Sequence, residues 1–370
     1  MKTTSKQTRM GMLYMIGGFF FMLLFLAFSH PLMGQTSKPI VIEKDKTYEQ
    51  KHIFLQDVAT KIEYLPLETT DNGLLASLNF LEDIRIIGDH IFILIKGQFY
   101  HFDRSGHFLN SFNPHGQGPE EITLSSSFVI DEEKGQVGIM DMQTSSIAYY
   151  TFGGDFVKKE KLPHRTHYVT NLEDVLICRN TDSHIDPSLY IYSKDRKITM
   201  LSGTRQQSGA AYRITTSNVP RINKGEVFFN STFTDTIFAV NTTSKRPAYI
   251  FLPPNNGRTT REDEKAASPI LRFETESWAN ILLYGKNARQ PKSYMVDKKN
   301  DRIYLGYLVN ADTRMVISTF NTGQDNQIIS IYEMGSLKDL LDKGFLSGKL
   351  KEVTEKASLE DNPVLLIATF

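Results

Sequence analysis

From Ile40 onward the chain is a succession of short β-type runs divided by turn residues, and no long segment of 3.6-residue periodicity precedes Ser336. Ile84–Ile95 reads as two strands about a Gly88-Asp89 turn, and Phe99–Phe102 with His107–Phe112 flank Asp103-Arg104-Ser105-Gly106. Val129–Asp131 and Gln136–Met140 flank Glu132–Gly135, while Ala148–Phe152 and Phe156–Lys159 flank Gly153-Gly154-Asp155. Similar pairs continue to Ile328–Met334. Glycine in these turns supplies positive φ at no steric cost. Evenly spaced short strands of this kind leave a sandwich, a barrel or a propeller.

Repetition decides among the three. The Phe-Asp-Arg-Ser-Gly106 and Phe-Gly-Gly154 turns superpose on their glycines 48 residues apart, and comparable turns follow near Asp195 and at Asn241–Ser244. A second hairpin also recurs, Val129–Val137 resembling Met295–Ile303. Four-stranded propeller blades repeat at roughly 40–50 residues. The 336 residues after Gly34 therefore predict an all-β, six-bladed β-propeller occupying residues 35–370 as one domain, with a short helical insert at about 336–358 before the C-terminal strand. Within that insert Ser336–Asp339 reads as a capping-box-like start, Gly344 as a C-cap, and Lys349–Ala357 as a second short helix. Because an open ring would expose sheet edges, Val364–Ala368 and Ile62–Leu67 are expected to share one blade.

The first residues carry an address. Lys2, Lys6 and Arg9 precede an uncharged stretch that lasts until Lys38, with Gly11–Phe28 apolar, then Pro31 and Gly34. That order predicts a secretory signal peptide over residues 1–34, cleaved near Gly34. An uncleaved N-terminal anchor is the alternative, since about 18 apolar residues reach the lower limit for a bilayer span. The expected location is the periplasm or cell surface. Membrane association is expected only through that segment if it stays uncut. The only cysteine, Cys178, lies deep in the chain beside Val175–Ile177, so it reads as a small buried hydrophobe, and no lipoprotein anchor is expected.

Several stretches together resemble the exported six-bladed β-propeller proteins of Gram-negative anaerobes, which are NHL-repeat-like and without an assigned activity. They are Ile62-Glu-Tyr-Leu-Pro-Leu-Glu-Thr-Thr70, Phe102-Asp-Arg-Ser-Gly106, His115-Gly-Gln-Gly-Pro-Glu-Glu121, Phe233-Thr-Asp-Thr-Ile-Phe238, the Tyr294–Asp301 hairpin and Glu360-Asp-Asn-Pro-Val-Leu-Leu366. The resemblance implies fold and compartment. It implies no reaction, because one fold hosts many functions. Many members carry a lipid-anchor cysteine after the signal, which this chain lacks.

Motifs that would carry chemistry are few. Gly116–Glu121 combines two glycines, Pro119 and three polar side chains, so Gln117, Glu120 and Glu121 are candidate ligand-binding residues; the competing reading is a tight structural connection. Trp278 could stack on a sugar ring with Tyr284, although a lone Trp in a β-protein commonly packs in the core. His164-Arg-Thr-His167 lacks the helical Glu-containing context of a zinc motif, and His101 and His107 are expected on exposed faces. No Gly-x-Ser-x-Gly elbow, P-loop or EF-hand loop occurs. With 42 basic and 42 acidic residues, no charge excess exists to hold nucleic acid. The expectation is a non-catalytic binding or scaffold propeller for a glycan, peptide or envelope protein held at one mouth of the ring, with no cofactor. The alternative is a calcium-dependent lactonase or ester hydrolase, its carboxylates converging on the central channel.

Overall fold

The structure is a computed structural model that describes residues 38–180, 187–202, 221–230, 235–252, 269–283 and 291–370. The predicted signal segment and Tyr284 lie outside the described residues.

Strand after strand is apolar on both faces because each blade is buried between two others. In the first blade (Leu81–Ile87, His90–Ile95, Gln98–Asp103, Phe108–Phe112), Ile91, Ile93 and Ile95 pack with Leu365 and Ile367 of the closing blade. Phe92 and Leu94, on the other face, pack with Phe128, Val137 and Ile139 of the second blade. Alternation thus serves two cores at once and leaves no polar face to read. The second blade is Ser125–Asp131, Gln136–Asp141, Ser146–Thr151 and Phe156–Lys161. The third is Tyr168–Leu172, Val175–Arg179, Leu189–Ser193 and Ile198–Ser202. The fourth is built on Arg221–Asn223, Glu226–Asn230, Thr236–Val240 and Lys245–Leu252, and the fifth on Pro269–Glu274, Trp278–Leu283, Lys292–Asp297 and Arg302–Leu305.

Closure follows the expected pairing. The final strand, Val364–Thr369, lies between Gln327–Tyr332 and the early strand Lys61–Pro66, in the register Val364↔Pro66 to Thr369↔Lys61. Residues upstream of that strand run along outer edges: Ile40–Glu43 pairs parallel with Lys245–Leu252, and Glu49–Gln50 pairs parallel with Arg302–Leu305. The outer edge of the second blade is instead Phe156-Val-Lys-Lys-Glu-Lys161, whose lysines discourage further strand pairing.

The expected count of six blades is corrected to seven. Arg302–Leu305 stops at Gly306, where a Cβ would lie 1.9 Å from the Lys51 carbonyl oxygen. The chain then resumes as Leu308–Asn310, which joins Met315–Val316 and Ile53–Phe54 in a separate three-stranded sheet. Strands of two or three residues are too short to show alternation, so this seventh sheet is invisible to pattern reading.

The helical insert is present as Met334–Asp342 and Gly348–Lys356, between the second and third strands of the closing blade. Its first helix starts earlier than expected, with Glu333 as N-cap, so Ser336 sits inside the helix rather than capping it. The cause is packing: Met334 and Leu337 are both buried, and the apolar stripe begins at Met334. Gly344 does end that helix, at φ 71°. No helix among the described residues is long and apolar enough to cross a membrane.

Candidate functional site

Topology divides the molecule into two faces. Turns joining first to second and third to fourth strands lie on one, here the turn face. Turns joining second to third strands, and the crossovers between blades, lie on the other, the loop face. The Gly116–Glu121 crossover is on the loop face, whereas Trp278 opens a second strand at the turn face, so the four predicted site residues do not meet.

The crossover is tightly organised. Gly116 N donates to the Ile122 carbonyl (3.0 Å), Ile122 N to the Pro114 carbonyl (2.9 Å), and Gly118 N to Glu121 Oε2 (2.7 Å). Neither glycine takes a left-handed backbone; Gly116 leaves room for the Glu121 carboxylate, which lies 1.9 Å from where a Cβ would sit. Tyr150 Oη and Lys159 Nζ donate to the backbone carbonyls of Glu120 and Glu121 at 2.5 and 2.7 Å. Glu121 is therefore a structural partner, while the exposed side chains of Gln117 and Glu120 point to solvent. Trp278 is half-buried against the core that contains Phe273, Met295 and Leu337.

Near the ring axis several side chains bond across blades. Arg85, 3% exposed, bonds Asp83 Oδ2 (2.7 Å) and reaches past Phe128 to Thr170 Oγ1 of the third blade (3.0 Å). On the turn face, Asn326 N donates to Asn223 Oδ1 (3.2 Å), Glu276 N to Asn326 Oδ1 (2.6 Å), and Lys224 pairs with Glu276 (2.6 Å). These bonds lace the fourth, fifth and closing blades together. Among the described residues no group of three or more His, Cys, Asp or Glu is placed to hold a metal.

Between the second and third blades, on the turn face, lies a groove of about 660 Å³. Its floor and walls include Val129, Tyr149, Val157, Leu176 and Tyr192. Around them stand six acids (Asp131, Glu132, Glu133, Glu160, Glu173, Asp174) and three lysines (Lys134, Lys158, Lys194). Every one of those lysines is already paired: Lys134 with Asp131, Lys158 with Glu160 (3.1 Å) and Lys194 with Asp174 (2.6 Å). Lys158 Nζ also sits 4.5 Å from the Tyr149 ring centroid, and Tyr192 Oη donates to Glu160 Oε1 (3.2 Å). Hydrogen bonding to Lys134 holds Asp131 below the usual carboxylate range, and burial pushes both tyrosine hydroxyls up, so the rings stay neutral.

The cause of the groove is visible strand by strand. His90↔Asp103 and Phe92↔His101 in the first blade occupy the same hairpin places as Gln136↔Thr151 and Gly138↔Tyr149 in the second. Gly138 therefore stands where the first blade has Phe92, and Tyr149 where it has His101. The turn that closes over each gap is also shared: Thr151 N donates to Asp155 O and Ser193 N to Lys197 O, with Gly154 at φ 98° and Arg196 at φ 63°. That alignment puts Phe152 over the first gap and Lys194 over the second. Sequence reading missed the groove because its residues come from ten separate strands and turns, although Gly138 inside an apolar strand was a usable signal.

Two sequence expectations about single residues resolve here. His101 is buried at 6% exposure, not exposed, because it stacks on Phe92 (4.7 Å) beneath Phe152. Burial pushes it down to about 4. Cys178 is fully buried between the second and third blades, and burial pushes its thiol up to about 12.

The family described as a domain of unknown function, DUF4934, matches residues 39–369. Among solved structures, a candidate exported protein from Bacteroides fragilis is similar at 21% identity and TM-score 0.69, covering 90% of this chain and 100% of its own. A member of the DUF4221 family from Bacteroides vulgatus shares 8% identity at TM-score 0.45, over 85% of this chain and 97% of its own. Virginiamycin B lyase from Staphylococcus aureus shares 11% at TM-score 0.42, over 84% and 99%. The comparison with curated proteins yields no match.

Proposed function

Taking as premise that the chain belongs to the DUF4934 family, whose function is unknown, we propose that it is an exported, non-catalytic binding propeller that holds a glycan, peptide or envelope protein in the groove between its second and third blades. The observation that carries this reading is that groove: about 660 Å³, concave, apolar at its base and polar at its rim, where the preceding gap is packed shut. The ligand then sits at the rim of the turn face rather than on the axis.

Export is supported by the basic and then apolar order of residues 1–34 and by the description of the Bacteroides fragilis protein. Mass analysis of protein recovered from the native envelope should find a mature start near Gln35. Intact Met1–Arg9 in a membrane fraction would favour the anchored form.

The binding reading is tested by filling the groove. Lys194→Phe places over the second gap the side chain that Phe152 places over the first. Wild type and variant are screened in parallel against a glycan array and a dye-labelled peptide library. Ligands captured by wild type and lost in the variant support the groove. Ligands captured equally by both refute it. Gln117 and Glu120 remain proposed contacts at the opposite mouth, and Gln117→Ala with Glu120→Ala, in the same screen, should lower capture without changing the melting curve if that mouth binds instead.

A further inference from the structure

Two outer blade edges of this propeller already carry an added strand. Ile40–Glu43 joins the fourth blade in the parallel register Ile40↔Tyr249 to Glu43↔Leu252, and Ile42 is fully buried there in the core that includes Tyr249 and Phe251. Glu49–Gln50 does the same for the fifth blade. An uncovered edge presents unpaired N–H and C=O groups that invite another chain, so proteins cover it or place charge and proline on it.

Three of the remaining edges are blunted in one of those ways. In the first blade Phe108 N donates to Glu68 Oε2 (2.7 Å) and Ser111 Oγ to the Asn72 carbonyl (2.7 Å), so residues 68–73 lie along Phe108–Phe112. The second blade ends in a strand with Lys158, Lys159 and Lys161. The closing blade ends in Lys61–Pro66, where Lys61 and Arg104 both pair with Glu63 (3.1 and 3.0 Å) and Pro66 has no N–H to offer. The third blade differs. Its last strand, Ile198-Thr-Met-Leu-Ser202, carries no charge, and none of the described strands pairs with its outer edge. Ile198 and Met200 are 36% and 53% exposed.

From this contrast we propose that the outer edge of the third blade docks an extended apolar segment of a partner protein, added as a fifth strand in the parallel sense of Ile40–Glu43. Ile198 continues the row Leu176–Tyr192 and Met200 the row Cys178–Tyr190, both facing the second blade. Leu201 faces the other way and packs with the core of Ile191 and Val240. An added strand extends the rows on both faces, so a short apolar run such as Ile40-Val41-Ile42 is the chemistry that fits. Main-chain bonds then supply affinity, and the alternating side chains supply specificity. None of residues 198–202 lines the groove, so the edge stands or falls apart from the groove reading.

The test uses the mature protein and a dye-labelled peptide with the sequence of Lys38–Lys46, the segment that already adds to a blade edge, read by fluorescence anisotropy. The peptide should bind, and the same peptide with Ile40→Asp and Ile42→Asp should not. Ile198→Lys with Met200→Lys gives the third blade the charged edge that the second blade has, and should weaken binding at least about tenfold. Met200→Lys alone, at the more exposed position, should weaken it in the same direction and replaces the double variant if that one melts early. Binding unchanged in both variants would place the peptide on another edge, such as that of the fourth blade after displacement of its own strand, and would overturn the proposal. Binding kept in the lysine variants but lost in Lys194→Phe would put the peptide in the groove, keeping the groove and overturning the edge. A wild-type dimer on size exclusion that the double variant abolishes would make the occupant a second copy of this chain and overturn the partner segment. No binding to wild type would overturn the edge and leave the groove reading standing.

Discussion

Two neighbouring gaps in this molecule are built to one plan and filled differently. Between the first and second blades, Phe92, Phe99, His101, Phe128 and Phe152 stack with ring centroids 4.7–6.4 Å apart, and the gap is shut to the turn face. Between the second and third, Gly138 replaces Phe92, Tyr149 replaces His101 and Lys194 replaces Phe152, and a groove opens. Strand pairing, turn hydrogen bonds and left-handed turn positions are otherwise shared. A propeller needs its inner strands packed to close the ring, but the rim of a gap can be opened at three positions without disturbing the sheet.

The largest effect should come from emptying the closed gap. Phe92 is fully buried with aromatic neighbours on several sides, so Phe92→Ala leaves a cavity that the stacked rings cannot fill. Urea unfolding should show a loss of about 3–5 kcal/mol. A loss below about 1 kcal/mol would mean that the gap collapses easily and that the contrast between the two gaps is one of degree.

Protonation attacks the same gap more gently. His101 Nε2 and His90 Nδ1 lie 2.9 Å apart, and burial, then the charge of His90, pushes His101 from 6.5 down to about 4. The folded state therefore keeps it neutral over a range where the unfolded chain binds a proton. Stability is fully present above about pH 6.5 and declines as pH falls toward 4, by about 2 kcal/mol at pH 5. Melting of wild type and His101→Phe between pH 7 and pH 5 checks this. The wild type should lose more, and parallel curves would place the acid sensitivity elsewhere.

Much of this contrast could not be read in advance. Turn chemistry was legible: Gly88, Gly106 and Gly154 each take positive φ, at 53°, 88° and 98°. So was the shared blade, because Pro363–Phe370 is too apolar to be a solvated tail and an unpaired edge beside Ile62–Leu67 would be costly. The blade count was not, since the extra sheet rests on a two-residue strand brought in parallel from Ile53–Phe54. Nor was the groove. Gly116–Glu121 stood out because its residues are contiguous, yet its glycines answer to the Glu121 carboxylate, whereas Tyr149, Lys158, Glu173 and Lys194 meet only when two blades are set side by side.

Filling the open gap should have a smaller thermal effect than emptying the closed one. Lys194→Phe loses an exposed pair with Asp174 and gains contact with Val175 and Tyr192 at the groove's edge, so the melting temperature should rise slightly or hold. A clear fall would show that the two turns do not present their second residue in the same direction, and the alignment of Phe152 with Lys194 would be wrong.

The smallest expected change tests what the paired lysine at the rim contributes to the open gap. Lys158 is half exposed, and its pair with Glu160 is of the solvent-facing kind that contributes little to stability. Lys158→Met should therefore leave unfolding nearly unchanged. It also removes the cation over the Tyr149 ring and leaves Glu160 with the hydrogen bond from Tyr192 Oη. An exposed cation–π contact contributes about 0.5–1 kcal/mol, so urea unfolding should register a loss no larger than about 1 kcal/mol. A larger loss would show that the Lys158 ammonium, held between the Tyr149 ring and Glu160, helps keep the rim of the open gap in place.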